Sequence, residues 1–184
     1  ADTVITSNWG SDLTLLFKSS RDYGLNINYF TLNANNPGTP AQIGPWGEGK
    51  VGVIWNWVHN APTPDLEKIY VDYKKKTGDD FVFAAHWNSM HMLREAMRKA
   101  QSTDAKKVAL ALEGMTYKSP MGEVRMRKTD HQLQQGLYIS RWEKAVGKFP
   151  VDAENTGHTF VPVKYYEPYV ASTPTSCQMK RPGM

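Results

Sequence analysis

Apolar and polar positions in this chain change period repeatedly, and each change marks an element. Val4-Ile5 form a short apolar strand, after which Leu13, Leu16 and Phe17 recur at i, i+3 and i+4, the spacing of one helix face. Ser11 is the expected N-cap and Gly24 the expected stop, with Lys18 and Arg21 in the last turns, where the helix dipole favours cations. Asn28-Tyr29-Phe30-Thr31 reads as the next strand, and a polar loop rich in turn formers runs from Leu32 to Pro40. Strand, helix and strand in about thirty residues make a βαβ unit, which predicts a parallel sheet with a right-handed crossover.

A helical turn around Ala41 to Trp46 precedes a third strand over 51–57, in which the two-residue period puts Trp55 and Trp57 on one face. His59-Asn60-Ala61-Pro62-Thr63-Pro64 interrupts regular structure and reads as a linker. A helix should follow, with Thr63 as N-cap, Pro64 at its first position, Leu66, Ile69, Tyr70 and Tyr73 on one face, and Gly78 as its end. A longer helix is expected over 80–100, apolar nearly all round from Phe81 to Ala85 and therefore buried on more than one side. Ser102, Thr103 and Asp104 cap a further helix with Val108, Ala111 and Leu112 inward and Gly114 as stop. Residues 115–118 and 123–126 then read as a hairpin across Ser119-Pro120-Met121-Gly122, and 136–142 as the last clear strand. Beyond it only Phe160 to Val163 carries a strand pattern, and there is no internal repeat.

Composition narrows the function classes. A length of 184 residues suits one domain or two small lobes. The net charge of +4 is spread among both signs, with Lys74-Lys75-Lys76 the one basic run, so the stripe that a nucleic-acid partner requires is missing. No apolar stretch approaches the ~18 residues of a membrane-spanning helix. A first strand with neither Met nor leader before it suggests a chain that begins inside something larger, and the single Cys177 in a polar tail raises the question of a partner elsewhere.

Catalytic and metal chemistry find little support. His86 and His91 stand roughly 140° apart around a helix, too far to clasp one ion, and neither a metal nor a cofactor is expected. There is no G-x-S-x-G, Gly47-Glu48-Gly49 is too short for a phosphate loop, and Asp79-Asp80 read as charges at a helix start. Binding is the better reading. In open α/β sheets ligands lie beyond the carboxyl ends of the strands, and the loops Ser7-Asn8-Trp9-Gly10 and Leu32 to Asn36 leave two such ends. Asn8, Trp9 and Asn33 thus fall on one rim, where an indole covers an apolar body and an amide both donates and accepts hydrogen bonds. On pattern alone Trp9 is equally suited to packing under its own helix.

Three stretches carry a resemblance: VITSNWGSDLTLLFKSSRDYGL, GDDFVFAAHWNSMHMLREAMRKA, and TDAKKVALALEGMTYKSPMGEVRMRKTDHQLQQGLYISRW. Together they resemble the C-terminal half of the periplasmic solute-binding proteins of branched-chain amino-acid ABC transporters, the leucine/isoleucine/valine-binding type, over residues 1 to about 142. The resemblance implies a partial type 1 periplasmic-binding fold of class α/β. Residues 1–58 would belong to the second lobe, 59–130 to a return segment of the first lobe, and 131–184 to the final crossing back and the tail.

It further implies a non-enzymatic chain that takes a branched-chain amino acid or related small carboxylate by hinge closure, in the periplasm. Its partners would be that ligand, a membrane permease and the N-terminal half of the same protein. Trp9 would correspond to a tyrosine of leucine-type members, and Asn33 to a position where amino-acid binders often carry an acid. Asn8 and Phe81 would be further contacts, and His59, Asn60, Ala61 and Pro62 a hinge strand. Two rivals share the fold class: the sensor domain of a receptor or regulator, and a doubly wound enzyme.

Overall fold

A computed structural model describes residues 1–80, 84–170 and 172–181. The chain divides into two compact units, one formed by Ala1–Val82 with Leu137–Tyr165 and the other by Phe83–Gly136 with Tyr166–Met184.

The first unit is built on a five-stranded sheet. β1 (Thr3–Thr6), α1 (Gly10–Asp22) and β2 (Asn28–Thr31) form the expected βαβ unit, and β1 pairs parallel with β2 from Thr3 opposite Asn28 to Thr6 opposite Thr31. After the short helix α2 (Thr39–Ile43) and a 3₁₀ turn (Gly44–Gly47), β3 (Val51–Trp55) adds parallel to β2. β7 (Leu137–Lys144) then joins β3 antiparallel and β8 (His158–Tyr166) completes the order β1-β2-β3-β7-β8, so the sheet is mixed where the βαβ pattern alone predicted a parallel one.

One face of this sheet is closed by α1. Leu13 and Phe17 are buried, and the Phe17 ring meets Tyr29 of β2 edge-on at 5.4 Å. The Tyr29 hydroxyl donates to Ser20 Oγ at 2.6 Å, satisfying a polar group that burial would otherwise penalise. Val51, Val53 and Trp142 lie in the same buried layer, where the Trp142 indole N–H donates to Gly44 O at 2.8 Å.

α3 (Pro64–Thr77) also belongs to this unit, so the boundary expected after residue 58 lies after 82 instead. The reason is aromatic packing: β3 ends at Trp55, and Trp57 turns inward, stacks on Tyr70 of α3 at 4.1 Å, and donates its indole N–H to Thr63 Oγ1 at 2.8 Å. Thr63 is the N-cap residue, but its hydroxyl serves this indole and not the helix. Gly78 ends α3 in the left-handed region, with φ +80°.

In the second unit α4 (Ala84–Ala100) packs on α5 (Ala105–Leu112) through Ala96, Val108 and Ala111, with Met97, Ala100, Leu112 and Met115 around them. Asp104 caps α5 as expected, its carboxylate accepting from Lys107 N–H at 3.0 Å. The hairpin is present as β4 (Thr116–Ser119) and β5 (Gly122–Met126), extended by a short strand β6 (Leu133–Gln134).

Candidate functional site

The loops that leave β1 and β2 lie side by side because the two strands run parallel in register. Asn33 ties them together: its amide nitrogen donates to Ser7 O at 3.0 Å and to Asn8 O at 3.4 Å, and its carbonyl oxygen accepts from Asn36 Nδ2 at 3.5 Å. Asn8 is fixed locally by Thr6, whose hydroxyl donates to Asn8 Oδ1 at 2.6 Å and accepts from Asn8 N–H at 3.1 Å. The structure therefore brings Asn8 and Asn33 together on one rim, with Trp9 beside Asn8 in the chain.

Trp9 does not pack under its helix: it is 70% exposed. It occupies the N-cap of α1 in an extended conformation, without a side-chain cap, and Ser11 lies inside the helix where it had been expected to cap it. Gly10 makes the difference, since its φ of +55° turns the chain from strand to helix directly after Trp9, and the indole is left largely exposed. An exposed indole forgoes the stabilisation that burying such a large apolar surface gives and leaves its ring free to meet a ligand or a partner. The side chains supplied by Asn8, Trp9 and Asn33 are uncharged at any ordinary pH.

The segment expected as hinge is held inside the first unit. His59 is buried, with Nδ1 2.8 Å from Glu67 Oε1, and Asn60 N–H donates to Glu67 Oε2 at 2.6 Å. Asn60, at φ +62°, also exchanges hydrogen bonds with the backbone of Val151, donating from Nδ2 at 2.8 Å and accepting at Oδ1 at 2.9 Å. Ala61 is buried and Pro62 exposed. The chain passes between units elsewhere, at 82/83, 136/137 and 165/166. Phe81, the remaining candidate contact, lies outside the described residues.

A small, mainly apolar pocket in the first unit is separate from these rim side chains; Asn35, Pro40, Trp57, His59 and Phe160 are among its walls. Among the described residues, Asn35 Oδ1 and His59 Nε2 are buried there without a hydrogen-bond partner. Sequence reasoning missed this cavity, since its walls come from four separate stretches of chain.

Comparison with known proteins follows the same fold. The periplasmic binding protein family matches residues 1–148. The Leu/Ile/Val-binding protein homolog 4 of Brucella abortus (strain 2308) is 32% identical over 190 residues, which cover 99% of this chain and 45% of that protein. The closed crystal structure of the leucine-, isoleucine-, valine-, threonine- and alanine-binding protein of Brucella ovis superposes with a TM-score of 0.81 at 30% identity, over 99% of this chain and 48% of that one. A solute-binding protein of an ABC transporter from Rhodopseudomonas palustris BisB5, solved with 3,4-dihydroxybenzoic acid, shares the fold with a TM-score of 0.74 at 18% identity, over 91% of this chain and 45% of that one. The chain thus spans about half the length of the curated relatives it matches. By sequence over most of its length, and by a mixed α/β architecture that matches part of a type 1 periplasmic-binding protein, this chain belongs to the periplasmic binding protein family.

Proposed function

We propose that this chain forms part of the solute-binding component of an ABC importer, working outside the cytoplasmic membrane and handing its ligand to a membrane permease. The observation that carries the reading is the rim at the carboxyl ends of β1 and β2, where an exposed Trp9 stands beside Asn8 and the bridging Asn33. The names of the Brucella relatives point to branched-chain amino acids, and the R. palustris structure to an aromatic acid.

The ligand class that fits is a small carboxylate with an apolar body: a branched-chain amino acid, an aromatic acid, a keto acid or an amide. The indole would lie against the apolar body, and the uncapped first turn of α1 next to it offers backbone N–H groups of the kind a carboxylate uses. An ammonium group finds no opposite charge on Asn8, Trp9 or Asn33, and burying it unpaired would cost several kcal/mol, so an amino-acid ligand would need its counter-charge from the other lobe. Closure would work about the three crossings at 82/83, 136/137 and 165/166. Phe81, outside the described residues, remains a candidate contact on the strength of the resemblance alone.

The test is a thermal-shift panel of leucine, isoleucine, valine, benzoate, 4-hydroxybenzoate and 4-methyl-2-oxopentanoate on the longer polypeptide that carries this sequence. A ligand that binds the native state alone raises the melting temperature. Trp9→Ala should weaken the best ligand by ~10-fold or more, since losing an aromatic contact of about 1.4 kcal/mol is a factor of ten. Unchanged affinity in Trp9→Ala would remove Trp9 from the pocket.

A further inference from the structure

Two side chains from distant stretches of the chain bring unpartnered polar atoms to the small pocket of the first unit. Asn35 stands two residues beyond Asn33 on the loop after β2 and is 5% exposed; His59 follows β3 and is 6% exposed. Among the described residues, neither Asn35 Oδ1 nor His59 Nε2 has a hydrogen-bond partner, and both residues line the pocket. A buried polar atom in that state costs about as much as a lost hydrogen bond, so in folded proteins such atoms are nearly always met by protein or by ordered water.

Size and chemistry decide what meets them here. The pocket leaves about 20 Å³ for the centre of an occupant the size of water, against the ~10–15 Å³ that one water needs. One water fits; a solute the size of an amino acid or a benzoate does not. His59 Nδ1 lies 2.8 Å from Glu67 Oε1, and a carboxylate accepts, so Nδ1 carries a proton and Nε2 of the neutral imidazole is an acceptor. Asn35 Oδ1 is an acceptor too, so these two atoms cannot serve one another. A water donates one proton to each, and to a charged ring it would accept from Nε2–H instead. Thr159, fully buried on the same wall, accepts from Asn60 Nδ2 at 3.3 Å and keeps its own proton for a third contact. Glu154, the remaining polar wall residue, is engaged elsewhere, accepting from Gly38 N–H and Ala41 N–H.

We infer that this pocket is a binding site for a single ordered water, which bridges Asn35 Oδ1 to His59 Nε2 and fastens the loop after β2 to the segment after β3. Asn35 is thereby a positioning residue for the rim. Asn33 ties the loop to Ser7 and Asn8, and the water ties it to the segment that Asn60 in turn fixes to Val151. The inference concerns how the first unit holds its rim loop, and is independent of which solute the protein takes.

The test is a crystal structure of the longer polypeptide that carries this sequence, at a resolution that shows ordered water. Expected is one density peak at ~2.7–3.2 Å from both Asn35 Oδ1 and His59 Nε2. Asn35→Leu, which keeps the volume and removes the acceptor, should lose the peak. In the same variant the loop amides of Ala34 and Asn36, bonded to Thr31 Oγ1 and Asn33 O, should exchange hydrogen ~10-fold faster, with the amides of β7 unchanged. Asn35→Ser keeps a hydroxyl and opens room for a second water, so it should show two peaks in place of one, and it tests the site if Asn35→Leu does not fold. A wild-type pocket without a peak, where water is visible elsewhere in the core, would overturn the inference. So would a carboxamide turned to donate directly to His59 Nε2, a peak that survives Asn35→Leu, or loop amides that speed up only together with those of β7.

Discussion

Asn33 shows what a single residue does at this rim. Its place on the loop after β2 and its amide chemistry are both visible in the sequence, but its partners are not: Ser7 and Asn8 lie twenty-six and twenty-five positions away and come within reach through the parallel pairing of β1 with β2. The amide nitrogen donates to two carbonyl oxygens, which a carboxylate in the same place would repel. Asn33→Asp should therefore cost about 1 kcal/mol or more in a urea titration at pH 7, and more than Asn33→Ala, which loses only the hydrogen bonds. The gap between the two variants should narrow as the pH falls through the carboxylate range and the new acid regains a proton to donate. If Asn33→Asp instead matched the wild type, the bridge between the two loops would contribute nothing.

At the scale of elements, local signals carried much of the fold. Periodicity and turn chemistry located β1, β2, α3, α5 and the hairpin, because each has its punctuation within a few residues: Gly78 after α3, Asp104 before α5, Gly122 in the turn. What escaped depends on partners far along the chain. β6 is two residues long and exists through its pairing with β5, and β8 runs from His158 to Tyr166 although its second half, with Lys164 and the two tyrosines, alternates poorly. The helix start at Trp9 was displaced from Ser11 by the backbone of Gly10, which leaves no trace in hydrophobic spacing.

Gly47 is a comparable case. Within Gly47-Glu48-Gly49 it drew notice only as part of a run too short for a phosphate loop, yet it is buried between α2 and β3, and a Cβ there would stand 2.2 Å from Ile43 Cγ2 and 3.0 Å from Val51 Cγ2. Both neighbours sit in the buried layer under the sheet and have little room to retreat. Gly47→Ala should lower stability by about 1–3 kcal/mol as an overpacking change, measured by urea denaturation, while Gly49→Ala meets no neighbouring atom and suffers mainly from its φ of +73°.

For the molecule as a whole, the division into units was the least legible feature. Pro62 and Pro64 after a polar Asn60 read as a linker, and it took the half-buried bonds from Asn60 to Val151 to show that this segment is a fixed part of the first unit. In the second unit the tail is held by charge. Arg127 donates from Nε to Asp130 Oδ1 at 2.9 Å and from Nη1 to Thr173 O at 2.6 Å, so one guanidinium joins the hairpin to the chain beyond β8. The Arg127 guanidinium holds the Asp130 carboxyl well below the usual carboxylate range, aided by the Gln132 N–H. A carboxyl with a lowered folded pKa contributes stability above its unfolded value of about 4 and loses it as the pH falls through the folded one. Asp130→Asn should accordingly be less stable than the wild type at pH 7, and the two should converge progressively below about pH 4. The tail should show it first: limited proteolysis at pH 7 should cut residues 172–181 faster in Asp130→Asn than in the wild type, and the ratio of the two rates should shrink steadily from pH 4 to pH 2 while remaining clear at pH 3, where the folded-state carboxyl is still ionised. A ratio that stayed constant from pH 7 down to pH 2 would mean that Asp130 acts through packing and not through its charge on Arg127.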